Sequence, residues 1–135
     1  IFSLAAVCLM RGRTCLNARK KGADHVILPG GKIELGETPL EAAIREAREE
    51  TRLVLDPDDL KHLGTFDAPA ANHDADGIRC VVYVCNWREI WPEPVPDSEI
   101  VEYEWTDLDH CYDDVRQAPL LCDRVIPALQ QQGLL

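Results

Sequence analysis

The chain has 135 residues, enough for one domain of ordinary size. Apolar residues make up 46% of it and charged residues 28%, a globular balance that excludes a disordered chain. With 24 Asp and Glu against 14 Lys and Arg the net charge is −10, which excludes a surface for nucleic acid. A small anionic substrate stays open, provided a cation bridges it to the protein.

Residues 1–10 form the longest apolar run, broken only by Ser3. It is about half the length of a membrane span and lacks the basic start and cleavage site of a signal peptide. The expected location is therefore cytoplasmic, with no membrane partner. Residues 1–10 and 14–19 read as two strands joined by Arg11-Gly12-Arg13. Residues 25–28 read as a short strand that stops at Pro29-Gly30-Gly31. Helix signals run from 38 to about 52, and Asp56-Pro57-Asp58-Asp59 marks a turn or short helix.

Strands are expected at 61–69, 78–87 and 100–105, separated by a polar loop at 70–77 and a three-proline stretch at 91–96. Both alternating sets of 78–87 are apolar, as in a strand buried on two faces. A short helix is expected at 107–112 and a second main helix at 119–132. Strands flanking a mid-chain helix, with another helix at the end, predict an α/β or α+β domain in layers. The six cysteines (Cys8, Cys15, Cys80, Cys85, Cys111, Cys122) contain no C-x-x-C pair and lie mostly in apolar runs. They read as reduced core thiols rather than a zinc site or a disulfide framework.

The stretch 28–53 carries the chemistry. Thr38 is the expected N-cap, Pro39 suits the first helical position, and Glu41 completes a capping box. Helical spacing puts Leu40, Ala43, Ile44, Ala47 and Thr51 toward the core and Glu46, Glu49 and Glu50 on an adjoining face. Arg45, four positions before Glu49, is spaced to pair with it. Two like charges about 4 Å apart cost roughly 1 kcal/mol in water, and about 4 at an effective dielectric constant of about 20. A solvated charged face, interleaved with Arg48 and Arg52, would account for the glutamates alone. The adjacent glycines point elsewhere. Gly30 and Gly31 let backbone oxygens approach an ion, and a hard divalent cation wants several carboxylate and carbonyl oxygens.

Gly31, Glu37, Arg45, Glu46, Ala47, Glu49, Glu50 and Leu53 fall on a pattern that resembles the signature of the Nudix (MutT-like) hydrolases, G-x5-E-x7-R-E-U-x-E-E-x-G-U with U apolar. One position departs: Arg52 stands where that family has Gly. The family's Gly ends the helix in a left-handed conformation, which costs another residue roughly 1–2 kcal/mol. A weakened or inactive enzyme is the alternative that this departure leaves open.

The resemblance implies one domain over 1–135, built as an α/β/α sandwich around a central mixed sheet. It implies Mg²⁺, with Mn²⁺ as substitute, held by Glu49, Glu50 and the Gly30 carbonyl. Glu46 would bind metal or act as base on water, Arg45 would orient the glutamates, and Glu37 would support them. Gly31 is a structural position of the motif. Another catalytic carboxylate from a loop before a late strand would be Glu99, with Glu102 as second choice. Arg19, Lys32 and Asn72 are the candidate substrate contacts. Lys20 and Lys21 lie beside Arg19, and His73 beside Asn72.

The implied reaction is hydrolysis of a nucleoside diphosphate linked to a group X, such as a nucleoside triphosphate giving monophosphate and pyrophosphate. An oxidised or non-standard nucleotide fits the same reaction. ADP-ribose or a nucleotide sugar is the alternative, since Pro69 lies sixteen residues after Leu53 as in ADP-ribose-hydrolysing members. A homodimer is common in the family. Trp87 and Trp105 read as strand core more readily than as base-stacking groups. Asp109, His110 and Asp113 read as a polar helix end rather than a metal site.

Overall fold

The computed structural model describes residues 2–72 and 77–135, so His73 of the sequence reading lies outside the described residues. Strand β1 (Phe2–Arg11) is the spine of a mixed six-stranded sheet. It pairs in parallel with β5 (Ile78–Asn86) over its whole length, Phe2 opposite Ile78 through Met10 opposite Asn86. Its other edge is shared. The end near Met10 and Arg11 pairs antiparallel with β2 (Thr14–Lys20), and the start pairs with β3 (Gly30–Lys32). Strands β4 (Lys61–Ala68) and β6 (Ile100–Asp107) close the sheet as antiparallel partners of β5 and β2.

The alternation of β1 divides the core. Leu4, Ala6, Cys8 and Met10 pack toward the C-terminal helical segment with Leu121, Val125 and Leu129. Ala5, Val7 and Leu9 face helix α1 (Pro39–Thr51), meeting Ala42, Ala43 and Ala47. A helix on each face of a mixed sheet is the layered α+β architecture that the sequence predicts. Among the described residues, no helix is long and apolar enough to cross a membrane.

Helix α1 begins as its local sequence dictates. Thr38 Oγ1 accepts from the Glu41 N–H (3.1 Å), and Glu41 Oε1 accepts from the Thr38 N–H (2.9 Å). It ends at Arg52, in the left-handed region (φ 65°), where the Arg52 N–H donates to the Arg48 carbonyl. Its buried face is Ala42, Ala43, Ala47, Glu50 and Thr51, whereas Leu40 and Ile44 are only half-buried. The expected core face is thus rotated. Three small alanines let the helix lie close on β1, and this turns Glu50 inward.

Four other expectations are corrected. The strand expected at 25–28 is reduced to isolated bridges at Val26 and Ile27, and pairing resumes at Gly30. The glycines are in the strand rather than ending it, because a Cβ on Gly30 would stand 2.5 Å from the Ala5 carbonyl oxygen. The helix expected at 107–112 is a single 3₁₀ turn, Cys111–Asp113. The helix expected at 119–132 is π-helical over Leu120–Val125 before it becomes α2 (Ile126–Gln131). Pro127 has no N–H to give and crowds the carbonyl four residues back, so the preceding turn widens. Finally, Cys111 and Cys122 form a disulfide, with Cα atoms 5.8 Å apart, while the other four cysteines are free and buried. Their separation of eleven residues hid the pairing, which the turn at 111–113 and the wide helix bring about.

Trp87 is buried beside Trp91 and Trp105, which matches its reading as core. Thiol titration of the oxidised protein in denaturant is expected to count four thiols. Reduction should cost about 2–3 kcal/mol of stability for a loop of this size. A count of six would contradict the pairing.

Candidate active site

Arg45 organises the site. Its guanidinium makes a two-pronged contact with Glu37, Nε to Oε2 at 2.7 Å and Nη2 to Oε1 at 3.0 Å. Nη1 donates to Glu46 Oε1 at 2.8 Å and lies 3.5 Å from Glu49 Oε2, while Nη2 also donates to the Lys32 carbonyl at 3.0 Å. The expected pair with Glu49 is therefore the longest of these carboxylate contacts. One cation ties the loop after β3 to the helix face and offsets the repulsion among the carboxylates. The Arg45 hydrogen bonds hold the Glu37 carboxyl below its usual range, helped by the Glu34 N–H.

Glu50 points the other way. It is buried, and its Oε2 accepts from the Gly30 N–H at 3.1 Å. Oε1 has no hydrogen-bond donor, and Lys20 Nζ stands 3.4 Å from it. Burial pushes the Glu50 carboxyl up to about 7, against the pull of Lys20 and the Gly30 amide. Tyr103 Oη donates to the Glu50 backbone carbonyl and anchors this turn of helix to β6.

Gly31 explains its own place in the motif. A Cβ there would lie 2.5 Å from the Glu46 carboxylate, so that carboxylate occupies the space the glycine leaves. The donor set of three carboxylates beside a glycine backbone consists of hard oxygens and suits Mg²⁺ or Mn²⁺. The buried Oε1 of Glu50 accepts no hydrogen bond and faces the Lys20 ammonium at 3.4 Å, so it is already held toward positive charge, as a metal ligand would need to be. As the side chains stand, no three His, Cys, Asp or Glu among the described residues form a ready ligand group. Glu46 and Glu49 turn toward Arg45 instead. Holding a cation requires them to rotate toward Glu50. The contact joining Gly30 to Glu50 uses the amide, whereas the sequence reading assigned Gly30 a carbonyl role.

Two cavities border this cluster. A polar one of about 420 Å³ lies between the end of α1 and the proline-rich segment before β6, with Glu49, Glu50, Arg52, Glu93 and Asp97 in its wall. An apolar one of about 70 Å³ lies against Gly30 and Gly31, lined in part by Leu4, Pro69, Cys80 and Leu120.

The expected substrate contacts are dispersed. Arg19 pairs with Glu102 (2.8 Å), which Arg116 also engages, so Glu102 is committed to structure. Lys32 is exposed, with its ammonium 3.8 Å from the centre of the Phe2 ring. Asn72 edges the apolar cavity, but both ends of its amide bond the His25 backbone (3.2 and 3.1 Å). Glu99 is exposed at the foot of β6 and is not among the residues lining the polar cavity. Sequence reasoning passed over Glu93 and Asp97, the carboxylates that share that cavity with Glu49 and Glu50. Their signal was only their position among the prolines of 91–96 and just after. Asp109 pairs with Arg13, and the distance from His110 to Asp113 is 3.7 Å, consistent with a polar helix end.

The family profile described as NUDIX domain matches residues 2–123. The "Uncharacterized Nudix hydrolase YvcI" of Bacillus subtilis (strain 168) is 29% identical over 94 residues, 70% of this chain and 56% of that protein. The chain thus spans little more than half the length of this curated relative. Among solved structures, a MutT protein from Methanosarcina mazei Go1 superposes with a TM-score of 0.76 at 17% identity, covering 98% of this chain and 94% of that one. A bifunctional NMN adenylyltransferase/ADP ribose pyrophosphatase from Francisella tularensis, complexed with AMP and a Mn ion, gives 0.74 at 20% identity, covering 97% and 41%. At these identities the two structures show a shared fold.

Gly31→Ala is expected to fold, since the Cβ meets only the movable end of Glu46, but to lose tenfold or more of whatever turnover depends on Glu46. Activity equal to wild type would contradict the packing argument. In the metal-free protein, the raised Glu50 value means that its ionised form opposes folding. The opposition is absent below the ordinary carboxyl range near 4.5 and complete above about 7. Metal-free Glu50→Gln should therefore melt higher than wild type at pH 8, with the gap closing toward pH 4.5. A gap that is constant with pH would contradict it.

Proposed function

Because the chain belongs to the Nudix family of hydrolases, which act on pyrophosphate bonds, we propose that it is a pyrophosphohydrolase dependent on Mg²⁺ or Mn²⁺. Its substrates would be nucleoside diphosphates linked to a further group, foremost a nucleoside triphosphate cut to monophosphate and pyrophosphate. The observation that carries this reading is the set Glu46, Glu49 and Glu50 on one helix, beside Gly30 and Gly31, with a buried Glu50 oxygen that has no hydrogen-bond donor. On this reading 1–135 is one domain and works in the cytoplasm. The four buried free thiols support a reducing compartment, while the disulfide counts the other way.

Glu49 and Glu50 would hold the cation, with Gly30 beside them. The chemistry that such an ion supplies is Lewis acidity toward the diphosphate oxygens and the attacking water. Glu46 shares in holding it or takes the proton from water at its carboxylate. The new bond joins water oxygen to phosphorus, and the anhydride P–O bond breaks with its electrons leaving on phosphate. Arg45 and Glu37 keep Glu46 in place, as their hydrogen bonds suggest. Lys32, which is exposed, is better supported as a phosphate contact than Arg19 or Asn72, whose polar groups are already engaged with other side chains or backbone. Glu99 remains the loop carboxylate proposed from sequence, since Glu93 and Asp97, which line the cavity with Glu49 and Glu50, are engaged by Arg11 and Arg52.

A second reading is hydrolysis of ADP-ribose or a nucleotide sugar. Pro69 supports it, because it lines the apolar cavity against Gly30. The test is a substrate panel of nucleoside triphosphates, oxidised triphosphates, ADP-ribose and nucleotide sugars with Mg²⁺ or Mn²⁺, read by product analysis. Hydrolysis of one class is expected, with chelator abolishing it. Glu50→Gln should lose about a hundredfold or more while melting as a folded protein, because it removes a charged ligand and no volume. Near wild-type turnover in that variant, or tight nucleotide binding with no hydrolysis in the whole panel, would overturn the proposal. The second outcome would favour a binding module that has lost its chemistry.

A further inference from the structure

The family's Gly is replaced by Arg52, and the substitution has structural company. Among the described residues, the non-glycine residues with positive φ are Arg52 (65°) and Ser98 (58°). Both line the polar cavity that Glu49 and Glu50 border. Arg52 adopts it as the left-handed exit of α1, and Ser98 in the tight turn closed by the reciprocal backbone hydrogen bonds of Asp97 and Ile100 (3.0 and 3.1 Å), so both residues hold fixed positions at the cavity wall. The two residues are joined through Asp97, the neighbour of Ser98, whose carboxylate pairs with the Arg52 guanidinium, both side chains belonging to the cavity lining.

The charge inventory of the cavity singles out Arg52. Its wall carries the carboxylates of Glu49, Glu50, Glu93 and Asp97, and Arg52 is the one Lys or Arg among the described lining residues. Glu93 is already neutralised from outside the cavity, by Arg11 and by the Trp105 indole N–H (3.1 Å). Glu49 and Glu50 are the carboxylates assigned above to a cation. That leaves the Arg52–Asp97 pair as the exchangeable element. Its side chains are 77% and 59% exposed, so water screens the pair and opening it costs little. A guanidinium matches two oxygens of a phosphate as well as two of a carboxylate.

We propose that Arg52 is a substrate-binding residue that exchanges Asp97 for a phosphate oxygen of the substrate's diphosphate and so fixes the anionic group in the cavity beside Glu49 and Glu50. The inference rests on the pyrophosphohydrolase reading and adds to it a specificity-determining contact. In the ligand-free protein, Asp97 competes for the guanidinium. The two partners of one ion pair therefore act oppositely on affinity: Arg52 raises it, and Asp97 lowers it.

That opposition is the test. Binding of inorganic pyrophosphate in the presence of Mg²⁺ is measured by calorimetry for wild type, Arg52→Gln, Arg52→Lys and Asp97→Asn. Gln keeps a polar, unbranched side chain and the left-handed backbone while removing the guanidinium and its charge. Arg52→Gln should weaken binding about five- to tenfold, Arg52→Lys should recover part of the loss, and Asp97→Asn should tighten binding. On whichever substrate the wild type hydrolyses, Arg52→Gln should raise KM and leave kcat within about twofold. A merely structural latch would move Arg52→Gln and Asp97→Asn in the same direction, and that result would overturn the inference. So would an unchanged Arg52→Gln, or no measurable binding to the wild type. Failure of the parent reading is distinct, since the wild type would then hydrolyse nothing in the panel.

Discussion

Four carboxylates gathered around one helix face form a repulsive arrangement, and the Arg45 guanidinium makes it tenable. It grips Glu37 with two nitrogens, Glu46 with a third, and stands near Glu49. It also reaches back to the Lys32 carbonyl, so the charge that quiets the glutamates also ties down the end of β3, the strand that carries the glycines. Helix, loop and β3 thereby become one unit leaning on β1, where three alanines permit the close approach. Glu50 escapes Arg45 and is buried instead against the Gly30 amide. The acidity that excludes polyanionic partners at the level of composition is here concentrated where a cation can reverse its sign.

What was legible in the sequence is what depends on near neighbours. The capping box needs only Thr38, Pro39 and Glu41, and it forms as read. The left-handed exit at Arg52 follows from the Gly that the family pattern requires there, and the φ of 65° agrees. The strand β1, a nearly unbroken apolar run, and the two apolar faces of β5 were likewise visible, because a strand buried between layers is apolar at successive residues. The family, too, was legible, from fixed polar positions within a single helix and its preceding loop.

What was not legible depends on distant segments meeting. The polar cavity exists because 92–98 packs against the end of α1, a contact that no local pattern announces. For that reason Glu93 and Asp97 were passed over, and Glu99 was singled out on the family resemblance, from its place in a loop before a late strand. Lys20 reaches Glu50 only because β2 and β3 both pair with β1. The disulfide was hidden in the same way, since Cys111 and Cys122 meet through a 3₁₀ turn and a π-helical stretch that the apolar pattern reads as ordinary helix. The inward turn of Glu50 was missed because helical periodicity gives relative angles around α1 but not its rotation on the sheet.

The central claim is that the carboxylates of α1 together hold a divalent cation. Titration of Mn²⁺ followed by electron paramagnetic resonance measures this without substrate or turnover, because bound ion leaves the sharp signal of the free one. The account predicts that wild-type protein depletes the free signal, and that a folded Glu46→Gln, Glu49→Gln, Glu50→Gln triple variant does not. Equal depletion by both proteins would contradict it.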